Sequence, residues 1–221
     1  MIKAVLFDVD GMLVDSNDLH VAAWVEAFRH FGVDVSAEAV REQVGKGGDN
    51  LMPAVLPLDL VSSRGAEIEA FRTELFKREY LERARPFPGV CALFEKLRDE
   101  GKQIVLASSA KGYEVDHHVR SFGCGDLVGT TTSADDVEHS KPDPDIFKAA
   151  LRQVAPLGAT EVIAVGDTPY DVEAAAKAGI RTIAFRSGGF PESVLRQAGC
   201  IAIYDGPEDL LQNYDRSPLA A

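Results

Sequence analysis

Apolar residues along the chain follow two different rhythms. Ile2 and Ala4-Val5-Leu6-Phe7 form a near-continuous apolar run, the pattern of a strand buried on both faces. Runs of the same kind recur at Gln103–Ala107, Val128–Thr131, Val162–Val165, Thr182–Phe185 and Cys200–Tyr204. Between them the spacing turns helical: Val90, Leu93, Phe94 and Leu97 fall at i, i+3, i+4 and i+7, and Ile146, Ala149, Ala150 and Gln153 approximate the same stripe. Gly101, Gly123 and Gly179 stand where helix C-caps are expected. Strand and helix alternate from about residue 88 onward, which predicts an α/β fold with a mainly parallel sheet.

Residues 15–87 break the alternation. No strand run is present, and Leu19, Ala22, Ala23, Glu26 and Ala27 belong to one helical pattern. Ile68, Phe71, Leu75 and Phe76 belong to another that runs through Leu81, while Gly45-Lys46-Gly47-Gly48 and Pro53 to Pro57 punctuate the middle. The pattern predicts a core built from residues 1–14 and 88–221, with a helical domain, 15–87, inserted after the first strand. The final stretch, Asp215–Ala221, reads as a frayed tail.

Composition narrows the function more than the fold. Lysine and arginine number 23 against 35 aspartates and glutamates, a net charge of −12, so a basic nucleic-acid footprint is absent. No apolar run is long enough to span a membrane, and the N-terminal run meets Asp8 too early for a signal peptide. Cys91, Cys124 and Cys200 are odd in number, far apart and in no CxxC pair, and read as reduced packing thiols of a cytoplasmic protein.

The candidate chemistry lies at strand ends. Asp8 and Asp10, in Asp8-Val9-Asp10-Gly11, follow the first strand at the edge where open α/β sheets bind ligands. Period-two alternation turns both the same way, and two repelling carboxylates call for a cation. Asp167 follows the strand ending at Val165. Next, Thr168, Pro169 and Asp171 fit N-cap, N1 and N3 of a helix, so Asp171 reads either as a cap or as a site residue. Ser108 and Ser109 follow another strand, where a hydroxyl and free N–H groups entering a helix make an anion cradle. Lys141 lies in the loop Ser140–Pro144. His20 and Trp24 share a helix face and read either as a packed pair or as substrate contacts. Lys46, in the glycine-rich loop Gly45–Asn50, reads either as part of a turn or as a residue reaching over the site.

Asp-x-Asp-Gly, a strand-end Ser, a Lys-Pro loop and Gly-Asp-x-x-x-Asp occur in that order, each after a strand. Together they resemble the haloacid dehalogenase superfamily of aspartate-nucleophile phosphotransferases, over essentially the whole chain. The resemblance implies a Rossmann-like parallel-sheet core with an inserted helical cap domain, as in the helical-capped phosphatases and β-phosphoglucomutase-like members. It makes Asp8 the nucleophile and Asp10 the general acid/base. Ser108, Ser109 and Lys141 become phosphate binders. Asp8, the Asp10 backbone carbonyl and Asp167 become Mg²⁺ ligands, and Asp171 an outer-shell partner. His20, Trp24 and Lys46 become candidates for substrate specificity. The implied reaction is Mg²⁺-dependent hydrolysis of a small phosphorylated metabolite, of sugar-phosphate or phosphoglycolate type, through an aspartyl-phosphate. The implied partners are that metabolite, no nucleic acid and no membrane, in a monomer or homodimer. A β-phosphoglucomutase-like phosphomutase is the alternative, disfavoured because such members carry Glu-Asp where this chain has Asp167-Thr168. Met12 stands where the family has Thr, which leaves room for a silenced binding or regulatory member.

Overall fold

The structure is a computed structural model that describes residues 1–220. The strand β1 (Ala4–Phe7) is followed by a short strand β2 (Val14–Asp15) and then by four helices: α1 (Asn17–His30), α2 (Ala37–Arg41), α3 (Gly48–Val55) and α4 (Leu58–Leu75). A π-helical turn, Phe76–Tyr80, extends α4, and β3 (Arg85–Pro86) closes the excursion by pairing antiparallel with β2. The chain continues as α5 (Val90–Asp99), β4 (Gln103–Ala107), α6 (Gly112–Phe122), β5 (Thr130–Thr132), α7 (Asp145–Gln153), β6 (Val162–Gly166), α8 (Pro169–Lys177), β7 (Arg181–Phe185), α9 (Glu192–Ala198), β8 (Ala202–Tyr204) and α10 (Pro207–Gln212). Six strands form one parallel sheet in the order β5-β4-β1-β6-β7-β8.

Burial explains the unbroken apolar strands. All four residues of β1 are fully buried between β4 and β6. Val5 and Phe7 pack on one side of the sheet with Phe94, Leu97, Ile163 and Phe185. Ala4 and Leu6 pack on the other with Phe147, Ala150, Ala164 and Ala174. Alternation persists, but both faces are covered, so every position must be apolar. The helices α1 to α4 hold a separate cluster around Val21, Trp24, Phe28, Leu51, Met52 and Ile68. They join the sheet through the β2–β3 ribbon.

Three local expectations are corrected. Gly48, Asp49 and Asn50 are not loop but the first turn of α3, with Gly47 as N-cap and Pro53 inside the helix. The C-terminal stretch is not frayed: Tyr214, Ser217 and Leu219 are buried, and Tyr214 and Leu219 share a cluster with Leu93 and Leu97 of α5. Its polar composition hid an apolar anchor; Ala221 lies outside the described residues.

The third correction concerns the thiols. Cys91 and Cys124 form a disulfide, their Cα atoms 5.7 Å apart and 33 residues apart in sequence, and Cys200 is left free. Distance along the chain said nothing about their meeting, because the start of α5 packs beside the end of α6. The cytoplasmic expectation drew on reduced thiols, and the disulfide removes that support. Alkylation of the denatured, unreduced chain is expected to label one cysteine, and labelling after reduction three; three labels without reductant would refute the bond. Among the described residues, no helix is long and apolar enough to cross a membrane.

Candidate active site

Parallel register brings the strand ends to one edge. Phe7 is level with Leu106 of β4 and with Val165 of β6, so the residues that follow, Asp8, Ser108 and Asp167, emerge from neighbouring strands. The Asp8 N–H still donates to the Val165 carbonyl at 2.9 Å, which fixes Asp8 to the sheet. The chain then turns tightly, with the N–H groups of Leu13 and Val14 on the Val9 carbonyl. Gly11 makes this turn at φ +72°, and a Cβ there would lie 2.1 Å from Asn17 Nδ2 and 2.3 Å from Asp167 Oδ2. Only glycine supplies both the backbone angle and the room. Met12 is fully buried in the main core cluster, so the missing Thr hydroxyl is replaced by packing.

The acids converge. Carboxylate oxygens of Asp8, Asp167 and Asp171 all lie within 4.8 Å of one another, and all three residues are buried. Lys141, fully buried, places Nζ 2.6 Å from Asp8 Oδ1 and 2.7 Å from Asp171 Oδ1. Asp171 combines both of its expected roles. Its Oδ2 accepts from the Thr168 N–H and hydroxyl as a helix capping box, while its Oδ1 faces Lys141. Asp167 Oδ2 accepts from Asn17 Nδ2 at 3.0 Å, and Oδ1, also buried, has no partner.

One ammonium against three carboxylates leaves the cluster with excess negative charge. Burial pushes the Asp8 pKa up to about 7; Lys141 opposes this and Asp171 adds to it. Burial, with Asp171 and Asp8 nearby, holds Asp167 well above the usual carboxylate range. Burial works against the Lys141 charge, but Asp171 and Asp8 outweigh it and raise its pKa. A hard divalent cation fits this donor set. It prefers oxygen ligands, would occupy the orphaned Asp167 Oδ1, and would relieve the repulsion.

Asp10 sits apart from that cluster. Its Oδ1 accepts from Ser16 Oγ at 2.6 Å and pairs with His20 Nε2 at 2.8 Å, and His118 Nε2 stands 3.6 Å away. Burial favours its neutral form, but His20 and His118 together hold its pKa well below the usual range. General-acid chemistry needs a proton at this position, and Asp10 Oδ1 has the Ser16 hydroxyl and His20 Nε2 within hydrogen-bond reach.

The remaining expected residues are dispersed around a cavity of about 230 Å³. Ser108 is fully buried, and its hydroxyl accepts from the Ala110 N–H, whereas Ser109 lines the cavity with a buried hydroxyl that has no partner. His20 and Trp24 both line the cavity without stacking on each other: His20 lies flat on Phe76 at 4.2 Å, and Trp24 tilts against Phe28. Lys46 stands at the rim, 2.6 Å from Gln43 Oε1 and 4.4 Å above the Tyr170 ring, and burial lowers its pKa. Beside it α3 clasps the Lys141 loop: Asn50 Nδ2 donates to the Ser140 carbonyl at 2.9 Å, and Asp49 Oδ2 accepts from the Ser140 N–H at 3.1 Å. Asn17, Ser16, Arg72, Glu114 and His118 were missed. Arg72 lies one turn from Ile68 on the buried face of α4, and Glu114 and His118 lie one turn apart on the buried face of α6. Charged residues at core-facing helical positions are a signal that sequence spacing does carry.

The model of the haloacid dehalogenase-like hydrolase family matches residues 5–185. The chain is 29% identical to the N-acetylmuramic acid 6-phosphate phosphatase of Pseudomonas aeruginosa, over 98% of this chain and 96% of that one. It is 31% identical, over 92% of its own length, to the chloroplastic Arabidopsis thaliana protein SUPPRESSOR OF QUENCHING 1, of which it spans 20%. The crystal structure of a hydrolase from Pseudomonas syringae superposes with a TM-score of 0.86 at 25% identity, covering 97% of this chain and 98% of that one. The chain belongs to the haloacid dehalogenase-like hydrolases, and within them it is an enzyme of the phosphatase type.

Proposed function

We propose that the protein hydrolyses the phosphate monoester of a small metabolite through an aspartyl-phosphate on Asp8, with Mg²⁺ as cofactor. The observation that carries this reading is Asp8 itself, buried, fixed to a strand end and ion-paired to a buried lysine beside an acid cluster in which Asp167 Oδ1 is orphaned. In this reading residues 1–14 and 88–221 do the chemistry and residues 15–87 cover it. Lys141, Ser109 and the N–H groups leading into α6 hold the phosphoryl oxygens, with Ser108 bracing that loop. An Asp8 oxygen attacks phosphorus as the bond to the leaving oxygen breaks, and the leaving oxygen takes a proton from the Asp10–His20 group. Water then attacks the same phosphorus, the bond to Asp8 breaks, and Asp10 receives the water's proton. Asp8, Asp167 and the Asp10 backbone carbonyl would hold the Mg²⁺, which supplies charge neutralisation at the phosphoryl group. Thr168 caps α8 and adds no carboxylate to the cluster, which favours the phosphatase over the mutase.

Chelation tests the reading. Phosphate release from p-nitrophenyl phosphate is expected to stop in EDTA and return with Mg²⁺. Mg²⁺ at ten times its Kd is expected to add about 1.4 kcal/mol of stability, a Tm rise of roughly 3–6 °C for a chain of this size. Full turnover in EDTA would overturn it.

A further inference from the structure

The cavity contains a second polar pair, Arg72 and Glu114, which touches the Asp10–His20 group through Arg72 Nη2. Arg72 comes from α4 and Glu114 from α6, both line the cavity, and both are buried, Glu114 completely. Arg72 Nη1 stands 3.5 Å from Glu114 Oε1, which also accepts from Tyr113 Oη at 2.9 Å, and Arg72 Nη2 is taken by His20 Nδ1. Two atoms are left over. Arg72 Nε and Glu114 Oε2 are both buried and have no hydrogen-bond partner. A buried ion pair at this distance is under-satisfied, and each orphaned atom costs free energy until something bonds it. One is a donor and the other an acceptor, and a hydroxyl can serve either.

Charge limits what else could bind there. Lys46 bonds the neutral Gln43 side chain and lies over the Tyr170 ring, Lys111 lies 3.7 Å from Asp135, and Arg72 already faces Glu114. Glu69 and Asp49 also line this space. Along this lining Asp49, Glu69, Glu114 and Glu138 outnumber Lys46, Lys111 and Arg72, and the excess negative charge, Glu114 included, opposes a second anionic group.

We propose that Arg72 and Glu114 form the leaving-group clamp, and that they select a monophosphate whose leaving alcohol is uncharged and carries a further hydroxyl, against phosphates bearing a carboxylate or a second phosphate. The inference rests on the phosphatase reading and resolves its two substrate types in favour of the polyol. The donor and acceptor bind a hydroxylated leaving group through bonds that no bare carboxylate can make to Glu114.

The experiment compares kcat/KM for glucose 6-phosphate and erythritol 4-phosphate with that for phosphoglycolate and glucose 1,6-bisphosphate, with Asp8→Asn as blank. The better polyol monophosphate is expected to exceed both anionic substrates by about 10-fold or more. Glu114→Gln is expected to shrink that ratio at least about 5-fold, chiefly through KM, because it removes the repelling charge. Arg72→Lys, which keeps the charge and loses the fork, is expected to raise KM for the polyol with a smaller change in kcat. Phosphate release from p-nitrophenyl phosphate together with a wild-type ratio at or below one would overturn the clamp and leave the phosphatase standing. A ratio unchanged in a folded Glu114→Gln would also overturn it. Should Glu114→Gln not fold, the wild-type ratio and Arg72→Lys decide. Release from no substrate at all would remove both the reading and the clamp.

Discussion

Asp8→Asn is expected to cut phosphate release by about 10⁴-fold or more, because an amide cannot form the acyl-phosphate bond, while the fold persists. The same substitution is expected to stabilise the metal-free protein at alkaline pH. Burial raises the Asp8 pKa from 3.8 to about 7. A carboxyl whose pKa is higher folded than unfolded binds its proton more tightly in the native state. The folded state therefore loses stability as pH climbs from about 4 to 7, and carries the full penalty, on the order of 4 kcal/mol, above that window. Asparagine is neutral throughout and escapes the penalty at pH 8, but has no advantage near pH 4. In EDTA, Asp8→Asn should melt several degrees above wild type at pH 8 and level with it near pH 4. With saturating Mg²⁺ the order should close or reverse, since the variant has lost a ligand. Retention of more than a tenth of wild-type turnover would end the nucleophile assignment. An equal Tm difference at both pH values would end the electrostatic account.

The strand ends were legible because a buried parallel strand must be apolar until it reaches solvent or a site. An Asp directly after Ala4–Phe7 or Val162–Gly166 is therefore conspicuous. Thr168, Pro169 and Asp171 were legible as a helix start because capping is local chemistry. The Arg72–His20–Asp10 chain and the Glu114 contact were not, because they depend on how α4 crosses α6, which no local pattern encodes. The disulfide failed for the same reason, since Cys91 and Cys124 meet through the packing of α5 beside α6. The tail failed differently: Leu219 is one large apolar residue in a short stretch, and its burial depends on a cluster with Leu93 and Leu97 of α5 that exists only after folding.

Lys141→Met is expected to be strongly destabilising. Nζ lies within 3 Å of both Asp8 and Asp171 from a fully buried position, and among the described residues no other cation does. Methionine matches the length of the side chain, so packing is largely kept and the loss is electrostatic. Breaking a buried pair by removing one partner costs about 3–5 kcal/mol, a Tm drop of roughly 6–20 °C for a chain of this size. Lys3→Met, which breaks the exposed Lys3–Glu161 pair, should barely move Tm. Without the ammonium, Asp8, Asp167 and Asp171 can lower their repulsion only by taking up protons, so the deficit should be smaller at pH 5 than at pH 8. Adding Asp8→Asn should recover part of it, because one of the repelling charges is gone; the double variant should melt above Lys141→Met alone, and turnover should stay at background in both. A deficit that is the same at pH 5 and pH 8, or that Asp8→Asn deepens, would show that Lys141 holds the fold by packing rather than by neutralising the acids around the nucleophile.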